Sequence, residues 1–232
     1  MIEQFDRVKM IYGDEYLKKI IDKKIILFGL GGVGSFVAES LVRTGIKYID
    51  IVDNDIIKSS NINRQIIALN TNIGQKKVDV MENRLKSINN DVVVKKYDIF
   101  YENNTQKLFD LKKYDYIIDA IDVISSKILL IKNAKDLNIN VISSMGTGNK
   151  IDPTFLKVSD IYNTKICPLA KVVRQMCKKM GIKNLKVVYS EEEIKKNIIE
   201  DCGRHIPGSA IFVPASCGLL ISNCVINDLL LN

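Results

Sequence analysis

Between residues 53 and 77 the chain reads DNDIIKSSNINRQIIALNTNIGQKK. Two carboxylates, Asp53 and Asp55, are followed by Asn61, Arg64, Gln65 and Lys77. An arginine offers a planar fork of donors to phosphate oxygens, and a lysine offers a point charge. Such a set suits a triphosphate and its metal, because transfer of AMP builds negative charge at the α-phosphate that cations stabilise. The plainer reading is a solvated loop with a capping asparagine and two surface lysines. Residue types alone leave both readings open.

Upstream, residues 26–34 read ILFGLGGVG. Gly29, Gly31 and Gly34 form G-x-G-x-x-G, with Gly32 inside it. Glycine permits the tight turn and lets backbone N–H groups approach a phosphate at the start of a helix. Asp53 follows Gly29 by 24 residues, at the end of a second apolar run. That position suits a carboxylate accepting from ribose hydroxyls. The pyrophosphate of NAD and the triphosphate of ATP fit these features equally.

These residues need a scaffold that brings them together. Short β-branched runs at 24–30, 48–52, 92–97, 114–120 and 140–144 read as strands covered on both faces. Helix candidates at 33–45, 75–88, 105–111 and 125–137 alternate with them, after a helical stretch ending near Asp22. Alternating strand and helix predicts an α/β, Rossmann-like, doubly wound sheet that is mainly parallel. Beyond Ser144 the pattern loosens. It predicts a loop at 145–153, a strand at 154–158, a helix at 169–180 and a strand at 185–189. A charged, exposed stretch at 191–200, a loop at 203–208, a strand at 210–213 and a helix at 216–231 follow. This half reads as an extension of the same domain, so residues 1–232 form one domain with its nucleotide-binding core at about 24–145.

Composition sets the bounds. Hydrophobic residues make up 47% of 232, ample for one core. The start is mixed and charged, which predicts no signal peptide. The most apolar window, 210–231, contains Pro214, Gly218 and Asp228 and reads as a buried helix, so no integral membrane span is expected. Five cysteines include no C-x-x-C pair, which argues against a zinc site of the usual spacing and fits reduced thiols in the cytoplasm. The net charge of +7 serves solubility or attraction to a polyanion such as RNA.

The motifs D-x-D, S-x-N-x-x-R-Q and I-G-x-x-K, after G-x-G-G-x-G, resemble the superfamily of ubiquitin-activating enzymes and their bacterial relatives, the ThiF-type adenylating domains. The resemblance is dense from Phe5 to about Pro153 and looser beyond. It implies that ATP sits in the glycine loop, with Asp53 and Asp55 at ribose and metal. It implies that Asn61 contacts phosphate and that Arg64 and Lys77 grip the triphosphate, with Gln65 beside them. It implies that Asp122, in DAIDVISSK, binds Mg²⁺ or supports the adenylate. Within the superfamily, FDRVKMIYGDEYLKKI, DAIDVISSK, ISSMGTGNKIDPT, CPLAK and LKVVYSEEE resemble the tRNA threonylcarbamoyladenosine dehydratases.

That branch implies an adenylate-forming cyclo-ligase. ATP activates the threonyl carboxylate of threonylcarbamoyladenosine in tRNA, and an internal nucleophile of the same side chain displaces AMP and closes a ring. The attacking group is already on the substrate, so high effective molarity makes an enzyme nucleophile unnecessary. The branch also implies a homodimer, with Arg7 or Tyr12 near a partner's ATP site. It leaves open a sulfur-relay protein partner and a monovalent cation. Lys127 and Lys150 are expected to flank the substrate edge. His205, the only histidine, offers a general base or an RNA contact, although an ordinary loop histidine is commoner. Cys217 falls three places later than the cysteine some relatives use in sulfur transfer, so that role is not carried over. For Cys167, burial is the commoner fate. Three rival readings remain: adenylation of a small sulfur-carrier protein, an NAD-dependent oxidoreductase, and a non-catalytic nucleotide-binding scaffold.

Overall fold

The computed structural model describes residues 3–193, 199–201 and 204–231, with backbone alone at 199–201 and 204–206. The first half runs α1 (Asp6–Tyr12), α2 (Tyr16–Ile20), β1 (Lys24–Phe28), α3 (Gly34–Arg43), β2 (Tyr48–Val52), α4 (Lys77–Ile88), β3 (Val93–Tyr97), β4 (Tyr116–Asp119), α5 (Ile124–Asp136) and β5 (Asn140–Ser144). The second half runs β6 (Leu156–Asp160), α6 (Pro168–Lys179), β7 (Lys186–Ser190), β8 (Ile199–Asp201), β9 (Arg204–Ile206) and α7 (Phe212–Leu231).

Seven strands form one sheet in the order β3-β2-β1-β4-β5-β7-β6, parallel except for β6, which pairs antiparallel with β7. The expected doubly wound α/β sheet is therefore present, and the second half extends it at one edge. β1, KIILF, buries four of its five side chains because helices cover both faces. One face packs on α2, α3, α4 and α7, the other on α5 and α6. The first helical residues end at Ile20, as the start of the sequence implied.

Four local expectations fail. Residues 105–111 form two single 3₁₀ turns, Gln106–Leu108 and Leu111–Lys113, in place of a helix. Between them Phe109 turns inward against the rings of Phe28, Tyr97 and Tyr101, and that burial interrupts the helix. No strand forms at 210–213; Phe212 and Val213 are the first residues of α7, and Ala210 and Ile211 precede it. Pro214 sits in its first turn, where a missing N–H is tolerated. The loop expected at 203–208 includes β9, which pairs with β8. In the stretch 191–200, Glu192 is buried and accepts from the backbone N–H groups of Ile151 and Asp152. Residues 194–198 of that stretch lie outside those described, as does Cys202.

Helix α7 is long and apolar enough to cross a membrane by length and composition, with mean hydropathy 1.4. Here it is a core helix. A Cβ on Gly218 would come within 2.6 Å of the Val33 carbonyl oxygen, so α7 lies directly on the entry to α3. The Ser222 and Ser40 hydroxyls meet at 2.6 Å across the same contact.

Candidate active site

β1 pairs with β2 on one side and β4 on the other, so the winding direction reverses between β1 and β4. Ligands of open α/β sheets bind at the carboxyl ends of strands at such a point. The chain leaving β1 there is the glycine loop. Gly29 has φ +93°, and a Cβ on it would lie 2.6 Å from the Ala120 carbonyl oxygen beyond β4. A Cβ on Gly34 would lie 1.8 Å from the Gly29 carbonyl oxygen. These two glycines allow the loop to close against β4. Around Gly31 nothing lies within 4 Å of an added Cβ, and Gly32 faces Arg64 and Pro214. Gly31 leaves backbone open to the space above, whereas a Cβ on Gly32 would meet the Pro214 Cβ at 3.2 Å.

That space is a cavity of about 690 Å³, within the range of small-molecule sites. Gly29, Gly31, Gly32, Asp53, Asp55, Asn61, Arg64, Gln65, Lys77 and Asp122 all line it. Gly34 does not; its place is behind the loop, at the first residue of α3.

Each polar group is held by its own segment. Asp53 follows β2, and its carboxylate accepts from the backbone N–H groups of Leu30 (2.7 Å) and Asp55 (2.8 Å). Burial pushes its pKa above the ordinary carboxylate value, with Lys77 opposing the rise. Lys77 is 4% exposed and begins α4; its Nζ lies 2.8 Å from Asp55 and 3.8 Å from Asp53. Asn61 is buried and accepts from the Lys58 N–H, which fixes the short 3₁₀ turn at Ser59–Asn61. One nitrogen of Arg64 donates to the Ser60 carbonyl and to Asn63, and the residue makes no ion pair among those described. Asp122 is exposed at the cavity beyond β4 and carries no hydrogen bond or ion pair among the described residues.

Two buried side-chain atoms lack a hydrogen-bond partner among the described residues: Gln65 Oε1 and Ser126 Oγ. Both residues line this cavity. A buried polar atom left unpaired costs about 1–3 kcal/mol, so two residues with such atoms lining one cavity mark a surface completed by a polar ligand. The donor set fits ATP with Mg²⁺. Open backbone, Arg64 and Lys77 suit phosphates, and Asp122 is a free carboxylate of the kind Mg²⁺ uses beside phosphate oxygens and water.

The sequence reading passed over Lys58, Ser126, Thr147 and Ser209, which also line the cavity. Ser126 had a visible signal: a hydroxyl in the first turn of the helix that follows β4, four residues past Asp122.

Lys127 and Lys150 do not flank a substrate edge. Lys127 is fully buried against Asp119 at 2.8 Å, and Lys150 donates to the carbonyls of Ser190 and Glu192 from within the fold. Tyr12 stacks on Tyr16 of its own chain, with ring centroids 4.7 Å apart. Cys167 is buried, as expected, beside Gly146. Cys217 is fully buried, and burial pushes its thiol up to about 12. His205 has its backbone in β9, while its side chain lies outside those described.

Residues 5–184 match the ThiF family. The chain is 39% identical to the tRNA threonylcarbamoyladenosine dehydratase of Bacillus subtilis, over 99% of this chain and 96% of that protein. It is 37% identical to the Escherichia coli enzyme of the same name, over 76% and 66% of the two chains. Its fold superimposes on the crystal structure of that E. coli dehydratase, TcdA, in complex with ATP, with a TM-score of 0.91, 31% identity and coverage of 98% and 94%. The chain thus belongs to the ThiF family, on the branch whose curated members are the tRNA threonylcarbamoyladenosine dehydratases.

Proposed function

We infer that this protein is an ATP-dependent tRNA threonylcarbamoyladenosine dehydratase. The observation that carries the reading is one cavity at the sheet's switch point, in which an open glycine loop faces Arg64, Lys77 and Asp122. ATP binds there. Its α-phosphate is attacked by the threonyl carboxylate of the modified adenosine, and pyrophosphate leaves. A nucleophile of the same side chain then attacks the activated carbonyl, AMP departs, and the ring closes with net loss of one water. NAD chemistry has no use for this density of charged groups beside the loop. The 39% identity to the Bacillus subtilis dehydratase, over 96% of that protein, disfavours the carrier-protein reading.

The finer roles are our proposal. Gly31 and Gly32 bring backbone N–H groups to the phosphates, and Gly29 and Gly34 hold the loop that presents them. Asp53 accepts from ribose hydroxyls. Asn61, Gln65, Arg64 and Lys77 hold the phosphates, with Asp55 positioning Lys77. Asp122 would hold Mg²⁺, which neutralises phosphate charge. Residues 1–232 act as one adenylating domain, and two copies form a homodimer in the cytoplasm; Met10 and Ile11, exposed apolar side chains on α1, support such a contact.

The test is AMP release from ATP and Mg²⁺, with and without tRNA bearing threonylcarbamoyladenosine, while the nucleoside is weighed by mass spectrometry. AMP that forms only with this tRNA, and a nucleoside lighter by one water, are expected. Arg64→Ala should abolish AMP formation with the fold intact. Normal turnover by that variant would refute the role given to Arg64, and AMP without a mass change would refute the substrate.

A further inference from the structure

The thirty residues 161–190 contain Lys165, Lys171, Arg174, Lys178, Lys179, Lys183 and Lys186, and no aspartate or glutamate. Across the sheet, on α4 and the neighbouring β3, Lys86 pairs with Glu82 and Lys96 with Asp79 and Glu82. In the 161–190 segment only Lys186 is paired with a carboxylate among the described residues, and Arg174 donates to Thr164.

Helix α6 organises this charge. Ala170, Val173 and Cys177 are buried against the core, which turns Lys171, Gln175, Lys178 and Lys179 to solvent. The helix starts at the candidate active site. Leu169 lines the cavity, and Cys167 packs beside Gly146 on its wall. Twelve residues at about 1.5 Å each carry the face roughly 18 Å from there. Lys165 precedes the helix and Lys183 follows it, both exposed. The result is a strip of lysines that make no ion pair with a carboxylate among the described residues, leading away from the cavity.

We propose that this face of α6, with Lys171, Lys178 and Lys179 at its centre, holds the sugar–phosphate backbone of the tRNA whose modified base enters the cavity. The proposal rests on the dehydratase reading above. A polyanion is the occupant that the charge selects. Lysines spaced along a helix, with no carboxylate paired to them among the described residues, neutralise successive phosphates and release their counterions. An RNA substrate must also extend well past a cavity that admits one nucleoside side chain and ATP.

The experiment compares wild type with the triple variant K171Q/K178Q/K179Q and the charge-preserving K171R/K178R/K179R, using tRNA bearing threonylcarbamoyladenosine. A control replaces Lys18, Lys19 and Lys86, exposed on the other face of the molecule, with glutamine. We expect the glutamine variant on α6 to raise the tRNA KM by about 10- to 50-fold and to flatten the slope of log affinity against log salt by about 2. Its kcat at saturating tRNA, its ATP affinity and its melting temperature should match wild type, and the arginine variant and the control should keep the wild-type KM. An unchanged KM and salt slope in the glutamine variant would overturn the proposal and assign the strip to another occupant, such as an acidic protein. Loss of ATP binding in that variant would overturn it too, because the lysines would then act on the cavity. Failure of the dehydratase reading is separate: wild type itself would form no AMP with this tRNA.

Discussion

Lys127 Nζ lies 2.8 Å from Asp119 Oδ2, and neither side chain reaches solvent. Ser143 donates to the same oxygen at 2.5 Å, and Lys127 also donates to the Ser144 carbonyl at 2.9 Å. The other Asp119 oxygen accepts from the Ile121 N–H at 3.0 Å. The pair thereby ties the ends of β4 and β5 to α5 and fixes the turn that presents Asp122. Lys127→Met strands a buried carboxylate, so we expect a loss of about 3–5 kcal/mol in urea unfolding. Adding Asp119→Asn should recover much of it. A single variant with the wild-type midpoint would show that the pair carries no structural role.

The glycines of the loop separate by experiment. Gly34→Ala places a methyl 1.8 Å from a backbone oxygen, so it should lower stability by several kcal/mol and abolish ATP binding together. Gly31→Ala meets nothing within 4 Å in the free protein and should fold normally while ATP affinity falls at least about tenfold. Thermal melts and ATP titrations on both variants decide this. Equal stability losses would contradict the division.

Cys217 should be chemically silent. It is fully buried, and its thiol is pushed up to about 12, so almost no thiolate exists at neutral pH. Cys217→Ala should form AMP at the wild-type rate, and iodoacetamide should label this position only after denaturation. Rapid labelling of the folded protein would reopen a role in sulfur transfer.

Acid sensitivity should centre on Glu39, which lies on α3 and pairs with Arg43 of its own helix and Arg84 of α4. Burial raises its pKa, but the two guanidinium groups outweigh burial and hold it below the ordinary carboxylate value. A depressed folded pKa stabilises above the unfolded value of about 4.3, and that stabilisation is lost as pH falls through the folded value. Glu39→Gln should therefore be about 1–2 kcal/mol less stable than wild type at pH 7, with the gap closing below about pH 4. Unfolding midpoints from pH 3 to 7 provide the check, and a gap independent of pH would contradict it.

The sequence by itself determined what is local or periodic. Strand runs covered on both faces, the glycine spacing and the dense polar stretch from Asp53 to Lys77 were legible, because each depends on neighbours a few residues away. Ten of the eleven candidate ligand residues so identified line one cavity, which the pairing of β1 with β2 and β4 brings together. Only the tertiary structure decided the rest. Gly34 acts behind the loop because the Gly29 carbonyl folds over it. Lys127, indistinguishable in sequence from a surface lysine, is buried because Asp119, Ser143 and Ser144 converge on it from two strands. The start of α7 is helical despite its strand-like apolar run because Gly218 and Ser222 seat the helix on α3. Contacts between residues distant in the chain set those outcomes, and no spacing along the sequence encodes them.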